Sequence, residues 1–152
     1  MHIYIDADGC PVVALTLRLA SEYGVQCTIL CDTSHLFSAE NAETVIVDKG
    51  ADSVDFALIN RIRSGDLAVT QDYGLAAMCL AKGASAINQN GLVYHDGNIE
   101  GLLMTRHTAK KARMAGQRLK GPAKRTKQQD TAFEKTLCGI LEAMRNDRAE
   151  ML

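Results

Sequence analysis

HIYIDADGCPVVALTLRLASEYG, residues 2–24, is the stretch whose reading decides the fold. It opens on HIYID, a short β-branched run that reads as a buried strand. Asp6, Asp8 and Gly9 make a turn, and Pro11 suits the first turn of a helix. Leu15, Leu19 and Tyr23 then recur every four residues, the spacing of one helical face, and Gly24 stops the helix. A strand, a tight turn, a helix and a stop form the first half of a βαβ unit.

The alternation continues. VQCTILC (25–31) reads as a second strand and the polar segment 32–41 as a loop or short helix. ETVIVD (43–48) is a third strand. GADSVDFALINRIRSG (50–65) is a helix opened by an Asp-x-x-Asp cap and closed by Gly65. DLAVT (66–70) is a fourth strand, QDYGLAAMCLAKG (71–83) a helix and SAIN (85–88) a fifth strand. Asn90-Gly91 marks a turn before LVYH (92–95). From Asn98 the pattern is helical, Gly121-Pro122 breaks it, and a last helix runs from about Thr126 to Arg145. Strands alternating with helices predict an α/β fold, a three-layer sandwich with a mostly parallel central sheet.

The chain has 152 residues, 47% of them hydrophobic, and a net charge of −1, as expected for an ordinary globular protein. No apolar run approaches the roughly 18 residues of a membrane span, and the N-terminus lacks the basic start and apolar stretch of a signal peptide. Five scattered cysteines without a CxxC pair point to reduced thiols and a cytoplasmic protein. The near-neutral total hides an uneven layout. Residues 1–104 carry 13 acids against 5 bases, whereas residues 105–129 carry 9 bases and no acid. The chain therefore divides into an α/β body, 1–104, and a basic helical C-terminal extension, 105–152, packed on the same domain.

Sites in open α/β sheets form at the carboxyl ends of strands. The first strand delivers Asp6, with Asp8 just beyond. The third delivers Asp48, then Asp52 and Asp55 on the next helix, and the fourth leads through Thr70 to Asp72. Carboxylates gathered there repel one another unless a divalent cation or protons intervene. Oxygen-only ligands favour Mg²⁺ or Mn²⁺ over zinc. Each acid also has a structural alternative. Asp52 and Asp72 can cap helices, Asp55 suits a helix dipole, and Asp8 can tie down its turn. Asp66 precedes its strand and is expected at the opposite edge as a turn residue. Asp6 is the hardest to dismiss, because it ends the strand expected at the centre of the sheet, where an idle charge is expensive.

IDADGCP, GDLAVTQDYGLA, KGA (82–84) and RHTAKKARMAGQRLKGPAKRT resemble the uncharacterised bacterial YaiI/YqxD family, over Met1 to about Leu141. That family is similar in fold to PIN-like and NYN-type nuclease domains. The resemblance implies a first-strand acid at Asp6, a helix acid at Asp52 or Asp55, and a T-x-D pair at Thr70 and Asp72. Asp8 is additional to that pattern. The further acid often found after T-x-D is replaced here by Tyr73, Gly74 and Leu75.

These residues together predict a metal-dependent nuclease cleaving phosphodiesters, with RNA as the expected partner and no membrane association. Asp6 and Asp72 would be the principal ligands and Asp8, Asp52 and Asp55 would complete the shell. Thr70 would orient a water or a ligand. Arg106, Lys110, Lys111, Arg113, Arg118, Lys120, Lys124, Arg125 and Lys127 would hold phosphates without reading sequence; the alternatives are a solvated surface or an arm docked on the acidic body. A HAD-like phosphatase is the enzymatic rival, with Asp6 as nucleophile and Asp8 as acid/base. Against it, Cys10 replaces the usual threonine and Gly65-Asp66 precedes its strand. A non-catalytic nucleic-acid-binding module is the third reading. The sequence assigns no oligomeric state and leaves an oligomer open.

Overall fold

The computed structural model describes residues 1–32, 39–50, 52–116 and 123–152, with the side chains of 106–113 outside that description. Six strands form one sheet: β1 (Ile3–Asp6), β2 (Cys27–Cys31), β3 (Ala42–Ile46), β4 (Leu67–Val69), β5 (Ser85–Ile87) and β6 (Val93–Tyr94). Among the described residues, five helices accompany them: α1 (Val13–Glu22), α2 (Ser53–Ile59), α3 (Tyr73–Ala81), α4 (Asp96–Met114) and α5 (Lys127–Glu150). The strand order is β3-β2-β1-β4-β5-β6, parallel throughout except for the antiparallel β5–β6 pair. The expected α/β class and mostly parallel sheet are therefore present.

Strand alternation distributes the core over two faces. Ile3, Ile5, Cys27, Ile29, Leu67, Val69 and Ile87 pack with Val13, Leu17 and Ala20 of α1 and with Phe133, Leu137 and Leu141 of α5. On the other face, Leu30, Ala68 and Ala86 meet Leu58 of α2, Leu75, Ala76 and Cys79 of α3, and Ile99 of α4. The helices thus lie on both sides of the sheet. Phe133, Leu137 and Leu141 recur every fourth residue and are fully buried, each contributing about 2 kcal/mol over leaving it exposed. α5 is therefore one wall of a layer. Its start is set by a capping box in which Thr126 and Gln129 each bond the other's backbone N–H. The step in charge at 104/105 lies inside α4. No helix among the described residues is long and apolar enough to cross a membrane.

Three elements differ from the sequence expectation. β3 stops at Ile46, so Asp48 does not end a strand; it lies exposed beyond the edge strand. α2 ends at Ile59 instead of Gly65. Backbone N–H groups of Asn60 and Ile62 still reach Phe56 O and Leu58 O, and side chains satisfy the neighbouring carbonyls: Lys82 Nζ donates to Ile59 O (2.5 Å) and Arg61 Nη1 to Ala57 O (2.9 Å). Asp52 precedes α2 with φ +63°, left-handed, and its side chain makes no capping bond, so the expected aspartate cap is not formed. At the other end of the chain, α5 runs past Arg145 to Glu150.

Candidate functional site

β1 sits between β2 and β4, so its last residue, Asp6, emerges at the centre of the sheet's carboxyl edge. The chain turns there. Ala7 N–H donates to Leu30 O (2.9 Å) and Cys10 N–H to Ala7 O (3.0 Å), while Gly9 takes φ +71°, a conformation glycine adopts without strain. Gln71, arriving after β4, donates from Nε2 to Gly9 O (2.9 Å) and ties the two loops together.

Thr70 is the hub of this edge. It is 1% exposed. Its hydroxyl donates to Asp6 Oδ2 at 2.7 Å and accepts from Asp72 N–H at 3.0 Å. Its carbonyl accepts from the buried Tyr94 hydroxyl at 3.0 Å. Asp72 is the N-cap of α3, accepting from Leu75 N–H at 3.1 Å. The structural alternative for Asp72 is therefore realised, and the same bond fixes its carboxylate beside Asp6. Asp8 accepts from Asp32 N–H at 2.7 Å, joining the first turn to the end of β2.

Asp6, Asp8 and Asp72 line one open cleft of about 520 Å³ with Gly9, Gln71 and Tyr73. Burial pushes the Asp6 carboxyl above the usual aspartate range. The Thr70 hydroxyl draws it back down, and the Asp72 and Asp8 charges push it up. A raised folded-state pKa means that the folded chain keeps this proton longer than the unfolded one. The stabilisation is full below the ordinary aspartate range and is lost as pH rises through the folded value. Ionising Asp6 thus weighs against folding, as expected of a carboxylate buried beside two others.

Asp55 and Asp52 do not join that cleft. They line a neighbouring cavity of about 380 Å³ with Phe56, Gly74 and Met78, and Asp72 borders both. The expected five-acid cluster is divided, because β3 is the edge strand and α2 returns across the sheet from that side. A sixth acid, Asp32, belongs to the edge and is absent from the sequence reading. Its pKa is raised chiefly by a hydrogen bond with the Asp8 side chain. It follows directly on the fully buried strand CTILC, so the rule that singled out Asp6 would have found it.

Asp66 lies at the opposite edge, as expected. Its carboxylate accepts from His2 N–H and Arg63 N–H, both at 3.0 Å, and locks the turn into β4. Among the basic residues, the Arg125 guanidinium is engaged three ways. It bonds Asp130 Oδ1, Asn90 Oδ1 and Gln89 O, each at 2.7 Å. These bonds fasten the start of α5 to the β5–β6 turn, where Thr136 Oγ1 also donates to Gly91 O (2.8 Å). A Cβ on Gly91 would meet Ala132 O at 2.5 Å, so only glycine fits that approach. Lys124 and Lys127 are exposed. Arg118 and Lys120 lie outside the described residues, as do the side chains of Arg106, Lys110, Lys111 and Arg113.

The molecule is thus an α/β protein with an acidic cleft at the carboxyl edge of a mostly parallel sheet. Residues 4–143 match the family described as Uncharacterized BCR, YaiI/YqxD family (DUF188), and the chain belongs to that family. It is similar to a UPF0178 protein of Exiguobacterium sibiricum, 52% identical over 141 residues that cover 93% of this chain and 96% of the other. A UPF0178 protein of Clostridium acetobutylicum is 52% identical over 136 residues, 88% of this chain and 92% of the other. One from Ruminiclostridium cellulolyticum is 49% identical over 137 residues, 90% of each chain. No solved structure matches.

Proposed function

We propose that the protein is a divalent-metal-dependent nuclease that hydrolyses phosphodiester bonds, with RNA as its substrate. The observation that carries this reading is the meeting of Asp6, Asp8 and Asp72 in one open cleft, organised by the Thr70 hydroxyl. Its donors are carboxylate oxygens without imidazole or thiolate, a set that fits Mg²⁺ or Mn²⁺. Among the described residues no three His, Cys, Asp or Glu side chains already stand as a ligand set. Asp6 and Asp72 would hold the ion and Asp8 would complete its surroundings; Asp52 and Asp55 face the next cavity. Such an ion, when bound, supplies a water of lowered pKa and offsets charge developing on the phosphate.

The chain's own residues do the rest. Thr70 keeps Asp6 oriented and favours its ionised form. The α3 cap keeps Asp72 from turning away. The openness of the cleft suits a polymer backbone rather than an enclosed small molecule. The bases of 106–127, apart from Arg125, which fastens α5, supply the positive charge that an acidic body lacks for phosphate binding. The resemblance to PIN-like nuclease domains supports the same reading, and the five free thiols accord with a cytoplasmic setting.

The test is cleavage of a mixed RNA pool with and without Mn²⁺. Wild-type protein should cleave only with the metal, and Asp6→Asn should reduce cleavage to the metal-free level while folding at least as stably. Metal-independent cleavage, or an Asp6→Asn variant as active as the parent, would overturn the reading.

A further inference from the structure

Phe56 is 59% exposed, on the side of α2 away from the buried Leu58. A single exposed apolar side chain needs no explanation. Phe56 is not single: Met78 of α3, 39% exposed, lines the same cavity of about 380 Å³. Asp52 and Asp55 form its polar part, and Asp72 connects it to the Asp6 cleft. A hard cation gains nothing from a phenyl ring and a thioether. A flat organic ligand with hydrogen-bond donors uses both halves. The ring and the adaptable Met78 cover its face, and the carboxylates accept from its edge.

We propose that the Phe56–Met78 cavity seats one unpaired base of a single-stranded nucleic acid, next to the phosphodiester in the Asp6–Asp72 cleft, and favours bases that carry an amino group. The inference rests on the nuclease reading for the position of the phosphate. Stacking on an aromatic side chain requires a base out of its duplex, so the cavity selects single strands. Acidic side chains accept from the exocyclic amine of cytosine, whereas uracil offers a carbonyl oxygen at the corresponding position. Phe56 is then a specificity-determining residue, distinct from the acids of the cleft.

The experiment measures binding by fluorescence anisotropy in the Asp6→Asn background, where turnover does not interfere. The probes are labelled oligocytidine, oligouridine and an RNA duplex. Oligocytidine should bind more tightly than oligouridine. Phe56→Ala should weaken oligocytidine binding on the order of tenfold, Phe56→Tyr should retain it, and duplex binding should be unchanged. Phe56 is mostly exposed, so the truncation should leave the thermal melt in place, which checks folding. Equal affinity of Phe56→Ala and its parent, a preference for oligouridine, or a preference for duplex would overturn the inference and leave the nuclease reading standing. Failure of the parent to bind any of the three probes would overturn both.

Discussion

Asp6 and Asp66 flank the same pair of adjacent strands, one ending β1 and the other just before β4, and they live under opposite conditions. At the amino edge the Asp66 carboxylate takes two backbone N–H donors and closes a turn. At the carboxyl edge Asp6 has the Thr70 hydroxyl as its hydrogen-bond donor and two further carboxylates beside it, and its pKa is raised. The same residue type is spent on folding at one edge and held at a cost at the other. Parallel strands explain the asymmetry: every β-to-α connection leaves from the carboxyl edge, so loops from β1, β2 and β4 converge there.

That contrast can be broken from either side. The largest stability effect belongs to the amino edge. Asp66→Ala removes a charged acceptor from two N–H groups and should cost about 2 kcal/mol, a fall of roughly 5 °C in Tm for a chain of this size. Metal-dependent cleavage by the folded fraction should be unchanged. Loss of cleavage at full stability would mean that the two edges are not separate in role.

A smaller effect is expected from Thr70→Val, which keeps the shape and removes the hydroxyl. It should cost about 1 kcal/mol, measured by denaturant unfolding. The Thr70 hydrogen bond lowers the Asp6 pKa. Its loss should therefore raise that pKa and move the acid limb of the pH–rate profile to higher pH, with activity recovering as pH rises. An unshifted acid limb would remove Asp6 from the titrating step.

Much of the layout was legible in the sequence because its signals are local. The apolar run, turn, Pro11, four-residue repeat and Gly24 define β1 and α1 without reference to the rest of the chain. The strand order is not local. β4 lies beside β1 while β3 lies at the sheet's edge and stops at Ile46, which separates Asp48 from the cleft and leaves Asp52 and Asp55 lining the next cavity. An acid before a helix suggests a cap, but Asp52 takes a left-handed backbone and its side chain makes no capping bond. An aromatic content of 5% says nothing about where one phenylalanine stands. Arg125 reads as part of a basic run, and its three partners at Gln89, Asn90 and Asp130 exist only once α5 has docked.

The claim beneath all of this is that Asp6 and Asp72, distant in sequence, jointly hold a hard cation. Calorimetric titration of Mn²⁺ into the wild-type protein and into Asp6→Asn at neutral pH tests it most directly. Saturable uptake by the wild type, with loss of the signal in Asp6→Asn, is the predicted result. Equal uptake by both proteins, or none by the wild type, would contradict the account.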